Sequence, residues 1–140
     1  MMIETDVLYA YVKSEDWLKP TAEKLIERIE KGEFGEVYAS REVLHELYYV
    51  SMQEGISLNE FISRVSAITA INNLKLIETD YIIDLLAFTL MQQYNLTSLF
   101  DAYYAATALN KIDDRIMIST DNVFDKIPGL RRIDPRELIK

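Results

Sequence analysis

Apolar residues follow two rhythms along this chain: short runs, and longer stretches in which they recur every three or four residues. The short runs predict strands at Met2–Thr5, Glu36–Ala39, Lys75–Glu78, Arg115–Ser119 and Arg131–Ile133, each too short for a good helix. Helices with legible ends fill the intervals. Pro20 stands where a first-turn proline is tolerated, and Ala22, Leu25, Ile26 and Ile29 keep helical spacing until Gly32 stops the run. A second helix, capped by Ser40, carries Val43, Leu44, Leu47, Tyr48 and Val50 on one face and fades before Gly55. Ser57 with Glu60 three residues on has capping-box spacing and opens a third helix through Phe61, Ile62, Val65, Ile68 and Ile71. Asp80 is placed to cap a fourth, with Ile83, Leu86, Ala87, Leu90 and Met91. From Ser98 to Leu109 runs a small-residue helix whose Ala102, Ala105, Ala106 and Ala108 allow close packing on a sheet. A turn at Pro128 and Gly129 and a short helix at Pro135 frame the last strand.

Strands alternating with helices, without repeats or long linkers, predict a single α/β domain over residues 1–140. The sheet is expected to have about five strands, mostly parallel, covered on both faces and joined by right-handed crossovers. Ligands of such sheets bind outside the carboxyl ends of the strands, which directs attention to the polar residues there.

Composition narrows the chemistry. The 140 residues include no cysteine and one histidine, so disulfides, thiolate metal sites and His-rich zinc sites are excluded, and any metal must be held by oxygen. A net charge of −8 argues against broad duplex binding, although acids gathered around divalent cations would present positive charge to a phosphate. No apolar stretch is long enough to span a bilayer, so no membrane association is expected, and the cytoplasm is the default location.

Five acids fall where the core does not explain them. Glu4 and Asp6 close the first strand, Glu46 lies in the helix after the second, Asp101 in the first turn of the Ala-rich helix, and Asp121 after the fourth strand in ISTDNVFD. Each has an ordinary alternative: Glu46 as a paired rim residue, Asp101 as a helix-terminus acid, Asp121 as an Asx-turn residue. If the first and fourth strands are neighbours, these carboxylates meet in one cleft with no matching basic residue in the same local segments. Like charges so placed repel unless a divalent cation lies among them, and hard oxygen donors select Mg2+ or Mn2+. Carboxylate-held Mg2+ suits phosphodiester hydrolysis, since it activates water and stabilises the leaving oxygen.

The order IETDVLYAY, SREVLHELYY, FDAYYAATAL and ISTDNVFDKIPGLRRIDP resembles the PIN domain, and within it the small prokaryotic proteins that include VapC-type toxins. FDAYYAATAL and STDNVFDKIPGL carry the most specific part of the likeness, which spans nearly the whole chain. The resemblance implies a three-layer α/β/α fold and a cleft of acids that binds Mg2+ or Mn2+ to cleave single-stranded RNA. It further implies a homodimer or higher homo-oligomer, and a cognate antitoxin as candidate partner. By position, Asp101, Glu46 and Asp121 correspond to the family's metal-binding acids. The first motif departs, because ETD stands where relatives read DTN or DTS. Glu4 aligns with the first metal-binding Asp and Asp6 with the Asn or Ser, and either could be the ligand. Val123 stands where many relatives carry a further acid, and Asp125 is a candidate to compensate.

Other residues are read more plainly. His45, about 100° around the helix from Glu46, is expected at the surface. Trp17, Tyr9 and Tyr11 could stack on bases or form a subunit contact but are expected to pack, while Ser119 and Thr120 suit either ligand orientation or a turn. Arg41, Arg115, Arg131 and Arg132 are candidate phosphate contacts. Besides the nuclease reading, the ETD exchange and Val123 leave open a non-catalytic PIN-like binding or assembly module. A receiver-like phosphoacceptor is a weaker third reading, for it has no use for Glu46.

Overall fold

A computed structural model describes residues 1–140. Five strands, β1 (Met2–Ile3), β2 (Val37–Ser40), β3 (Leu74–Ile77), β4 (Ile116–Ile118) and β5 (Arg131–Ile133), form one sheet in the order β3-β2-β1-β4-β5. Every pairing is parallel, and Met2 is flanked by Tyr38 on one side and Met117 on the other. Seven helices flank the sheet: α1 (Thr5–Val12), α2 (Lys19–Glu30), α3 (Val43–Gln53), α4 (Leu58–Thr69), α5 (Tyr81–Tyr94), α6 (Leu99–Lys111) and α7 (Pro135–Leu138). The fold is the expected α/β class with a fully parallel five-stranded sheet, and no helix is long and apolar enough to cross a membrane.

Chain order places the site. The chain builds outward from β1 through β2 to β3, then returns to the far side of β1 for β4 and β5. The connection reverses direction between β1 and β4, so loops leaving those adjacent strands diverge and open a crevice at their carboxyl ends. The floor is apolar: Met2, Ile3, Val37, Ala39, Met117 and Ile118 are all fully buried. Helix α6 packs across β2 and β4 and against α5, and its small Ala102, Ala105, Ala106 and Ala108 are buried.

The caps at Ser57 and Asp80 form as expected, their side chains accepting the N–H of Glu60 and Ile83, and Ser98 caps α6 in the same way through the N–H of Asp101. Three expectations fail. The first strand does not run to Thr5: it ends at Ile3, Glu4 is the extended residue just before α1, and Asp6 lies in the first helical turn. Glu4 and Asp6 are therefore not alternate residues of one strand. The α1 run TDVLYAYV is apolar on most sides because α2, α3 and α4 all pack against it, which hides its helical period. Ser40 does not cap α3 either; its Oγ accepts the Glu42 N–H at 3.1 Å and supports the turn before the helix. Trp17 does not pack in the core. It is 68% exposed, with the Arg136 guanidinium 5.3 Å from its ring centroid.

Candidate functional site

The crevice between the β1 and β4 ends is a cleft of about 480 Å3 lined by Glu4, Thr5, Asp6, Tyr9, Glu46, Val50, Ser98, Asp101, Thr120 and Asp121. All five acids singled out in the sequence reach it, and no Lys, Arg or His lines it. They come from four separate places: the β1–α1 junction, the first turn of α3, the first turn of α6, and the residue that caps the 3-10 turn Asn122–Lys126.

Hydroxyl groups hold three of the five acids, Glu4, Asp6 and Glu46. Glu4, 6% exposed, accepts from the buried Ser119 Oγ at 3.0 Å, and the same oxygen of Ser119 accepts the Asp121 N–H at 2.9 Å. Asp6 is used differently. Its Oδ2 accepts both the N–H and the hydroxyl of Thr120, at 2.8 and 2.6 Å, while its Oδ1 accepts the Val7 N–H at 2.8 Å. The carboxylate thus latches the start of α1 to the loop after β4, across 114 positions of sequence. Glu46 Oε1 accepts the Tyr104 hydroxyl at 2.9 Å, and Asp121 Oδ1 accepts the Val123 N–H at 3.0 Å.

Electrostatics separates the acids further. Glu4 is raised well above the ordinary carboxylate range, first by burial, then by Asp6 beside it, then by Glu46 and Asp101. Asp101 is pushed up to about 7, first by burial and then by the charges of Asp121, Glu46 and Asp6. No hydrogen bond offsets this rise at Asp101. As the side chains stand, no three of the acids are grouped closely enough to hold a cation. The donor set still fits a hard divalent ion in its chemistry: carboxylate oxygens without a balancing base, where an added cation relieves the repulsion.

Other candidates fall outside. Asp125 is taken by Arg132 in a paired contact with both distances at 3.0 Å, so it does not replace the acid missing at Val123. His45 bonds Glu42 at the surface as expected. Arg41 stands 4.0 Å from Glu78, and Arg131 is exposed on β5; neither lines the cleft. Tyr9 does reach the cleft wall, while its hydroxyl donates to Glu54 at 2.6 Å. Sequence reasoning missed Tyr104. Its one legible signal was a tyrosine among alanines three residues after Asp101, on the same helical face.

Comparison with known proteins agrees with this architecture. The PIN domain family model matches residues 1–130. No curated protein matches the sequence. Among solved structures, the Mycobacterium tuberculosis toxin VapC20, described as cleaving the Sarcin-Ricin loop, aligns with a TM-score of 0.69 at 15% identity, covering 89% of this chain and 92% of its own. VapBC2 from Rickettsia felis, bound to a DNA fragment from its promoter, aligns with a TM-score of 0.69 at 17% identity, covering 94% and 96%. With the crevice at the β1–β4 reversal, the Ala-rich helix that brings Asp101 to it, and a family match over nearly its full length, this chain belongs to the PIN-domain family.

Proposed function

We propose that the protein is a Mg2+- or Mn2+-dependent endoribonuclease acting on single-stranded RNA, and the toxin of a VapBC-type pair. The observation that carries this reading is the convergence of Glu4, Glu46, Asp101 and Asp121 from four elements into one cleft without a basic side chain. Acids brought together against their own repulsion point to a cationic ligand, and we assign these four to hold it. A divalent cation there would supply positive charge to a scissile phosphate and lower the pKa of an attacking water. The chain's own groups prepare the place. Ser119 orients Glu4, Tyr104 orients Glu46, and the Asp6–Thr120 latch sets the loop from which Asp121 extends.

The partners follow from the same cleft. An antitoxin that blocks it would bring basic side chains, the complement of this acidic lining. A homo-oligomer would cover Tyr81, Ile82, Leu85 and Phe88, which α5 leaves exposed. The deciding experiment incubates the purified protein with single-stranded RNA and Mn2+. Cleavage by wild type, abolished in Asp101→Asn and Glu46→Gln, is the expected result. Intact RNA, with both variants matching wild type in Mn2+ binding, sinks the reading.

A second reading, a non-catalytic PIN-like binding or assembly module, draws on two observations: Asp125 is engaged by Arg132, and the acids are not grouped for an ion as they stand. It expects no rise in melting temperature with millimolar Mn2+.

A further inference from the structure

Tyr104 is the largest side chain in the protein with no exposure, and its hydroxyl sits between two partners from other elements. It lies 2.7 Å from Thr5 Oγ1, at the start of α1, and donates at 2.9 Å to Glu46 Oε1, on α3. A phenol has one proton. With Glu46 taking it, Thr5 must be the donor in the other bond, so the direction of the chain is Thr5 to Tyr104 to Glu46.

The placement is specific. Tyr104 is three residues from Asp101 on α6, so one helix supplies both an acid of the cleft and the donor for another acid of the cleft. Thr5 is next to Glu4, which ties the relay to the β1–α1 junction. Glu46 has no other protein hydrogen bond at its carboxylate, and a glutamate side chain on a helix edge otherwise samples several rotamers.

We propose that Tyr104 is a positioning residue: through the Thr5–Tyr104–Glu46 chain it fixes the Glu46 carboxylate toward the cleft. This rests on the nuclease reading for its purpose, although the geometric claim stands without it. Donors that orient ligating carboxylates commonly change metal affinity by 10- to 100-fold when removed.

The test uses Tyr104→Phe, which keeps the ring and deletes only the hydroxyl. Calorimetric titration with Mn2+ is expected to show affinity lowered about 10-fold or more. On a Glu46→Gln background the same change is expected to have no further effect, because the two residues act as one unit. A crystal structure of metal-free Tyr104→Phe is expected to show Glu46 turned away from the cleft. Wild-type Mn2+ affinity in Tyr104→Phe, additive effects with Glu46→Gln, or an unmoved Glu46 in the crystal each overturns the proposal. If wild type itself fails to bind Mn2+, the nuclease reading falls, and the crystal structure alone decides the positioning claim. Should Tyr104→Phe not fold, Thr5→Val removes the upstream donor and is expected to act in the same direction with a smaller loss; no loss overturns the proposal.

Discussion

Glu54, at the end of α3, is held by both terminal nitrogens of Arg64 at 2.6 and 3.1 Å and by the Tyr9 hydroxyl at 2.6 Å. Two turns earlier on the same helix, Glu46 faces the cleft with the Tyr104 hydroxyl as its donor and no cation beside it. Both regions are built from α1 and α3, and both place acids beside a tyrosine. Arg64 holds Glu54 below its ordinary range, whereas burial and mutual repulsion push Glu4 and Asp101 up. One cluster carries its own counter-charge and serves the fold. The other lacks one, which marks it as a place for something the chain does not contain.

The comparison can be broken from either side. The largest effect is expected from Arg64→Ala: the side chain is 6% exposed, and its loss leaves the partly buried Glu54 with the Tyr9 hydroxyl as donor but no counter-charge. A cost of about 3 kcal/mol in urea unfolding is expected, at the low end of buried-pair losses because Glu54 retains some exposure. Next comes the response to metal. Mn2+ at a hundredfold excess over its Kd should stabilise wild type by about 2.7 kcal/mol in thermal unfolding, and Asp101→Asn should lose most of that gain.

A smaller effect separates the regions by pH. In metal-free protein Asp101 titrates at about 7, against 3.8 as its ordinary value. Between those values the native state keeps a proton that the unfolded chain has lost, so this contribution is full below 3.8 and lost as pH rises through 7. Glu4 acts in the same direction, and Glu54, with a lowered value, acts in the opposite one. Calorimetry in a chelating buffer should find that Asp101→Asn loses less stability than wild type between pH 5 and 8, melting a few degrees higher at pH 8. The smallest effect is at Asp125, where the Arg132 pair lies at the surface. Asp125→Asn should cost under about 1 kcal/mol and leave Mn2+ affinity unchanged, which separates that acid from the cleft.

Much of this was legible before folding. Ser57, Asp80 and Ser98 announce helix starts because a cap is a local hydrogen bond within three residues, and the strand–helix alternation announces a parallel sheet by the same local means. The five acids could be picked out because each interrupts a pattern. The β1–α1 junction could not, since TDVLYAYV is covered by three helices and shows no polar face from which to read a period. Trp17 was misplaced for a related reason: an aromatic residue has no sequence mark that tells a core position from one covered by an arginine at the surface.

What the sequence determined alone is therefore the parallel α/β class, the helix starts marked by a local cap, and the list of acids that a core does not need. Only the tertiary structure decided how the acids are used. That Asp6 latches onto Thr120, Glu4 leans on Ser119 and Tyr104 holds Glu46 depends on contacts across 114, 115 and 58 positions. These are set by the adjacency of β1 and β4 and by the seat of α6 on the sheet. Local pattern is blind to such pairs because a hydrogen bond depends on where two atoms meet, and chain packing alone brings these atoms together.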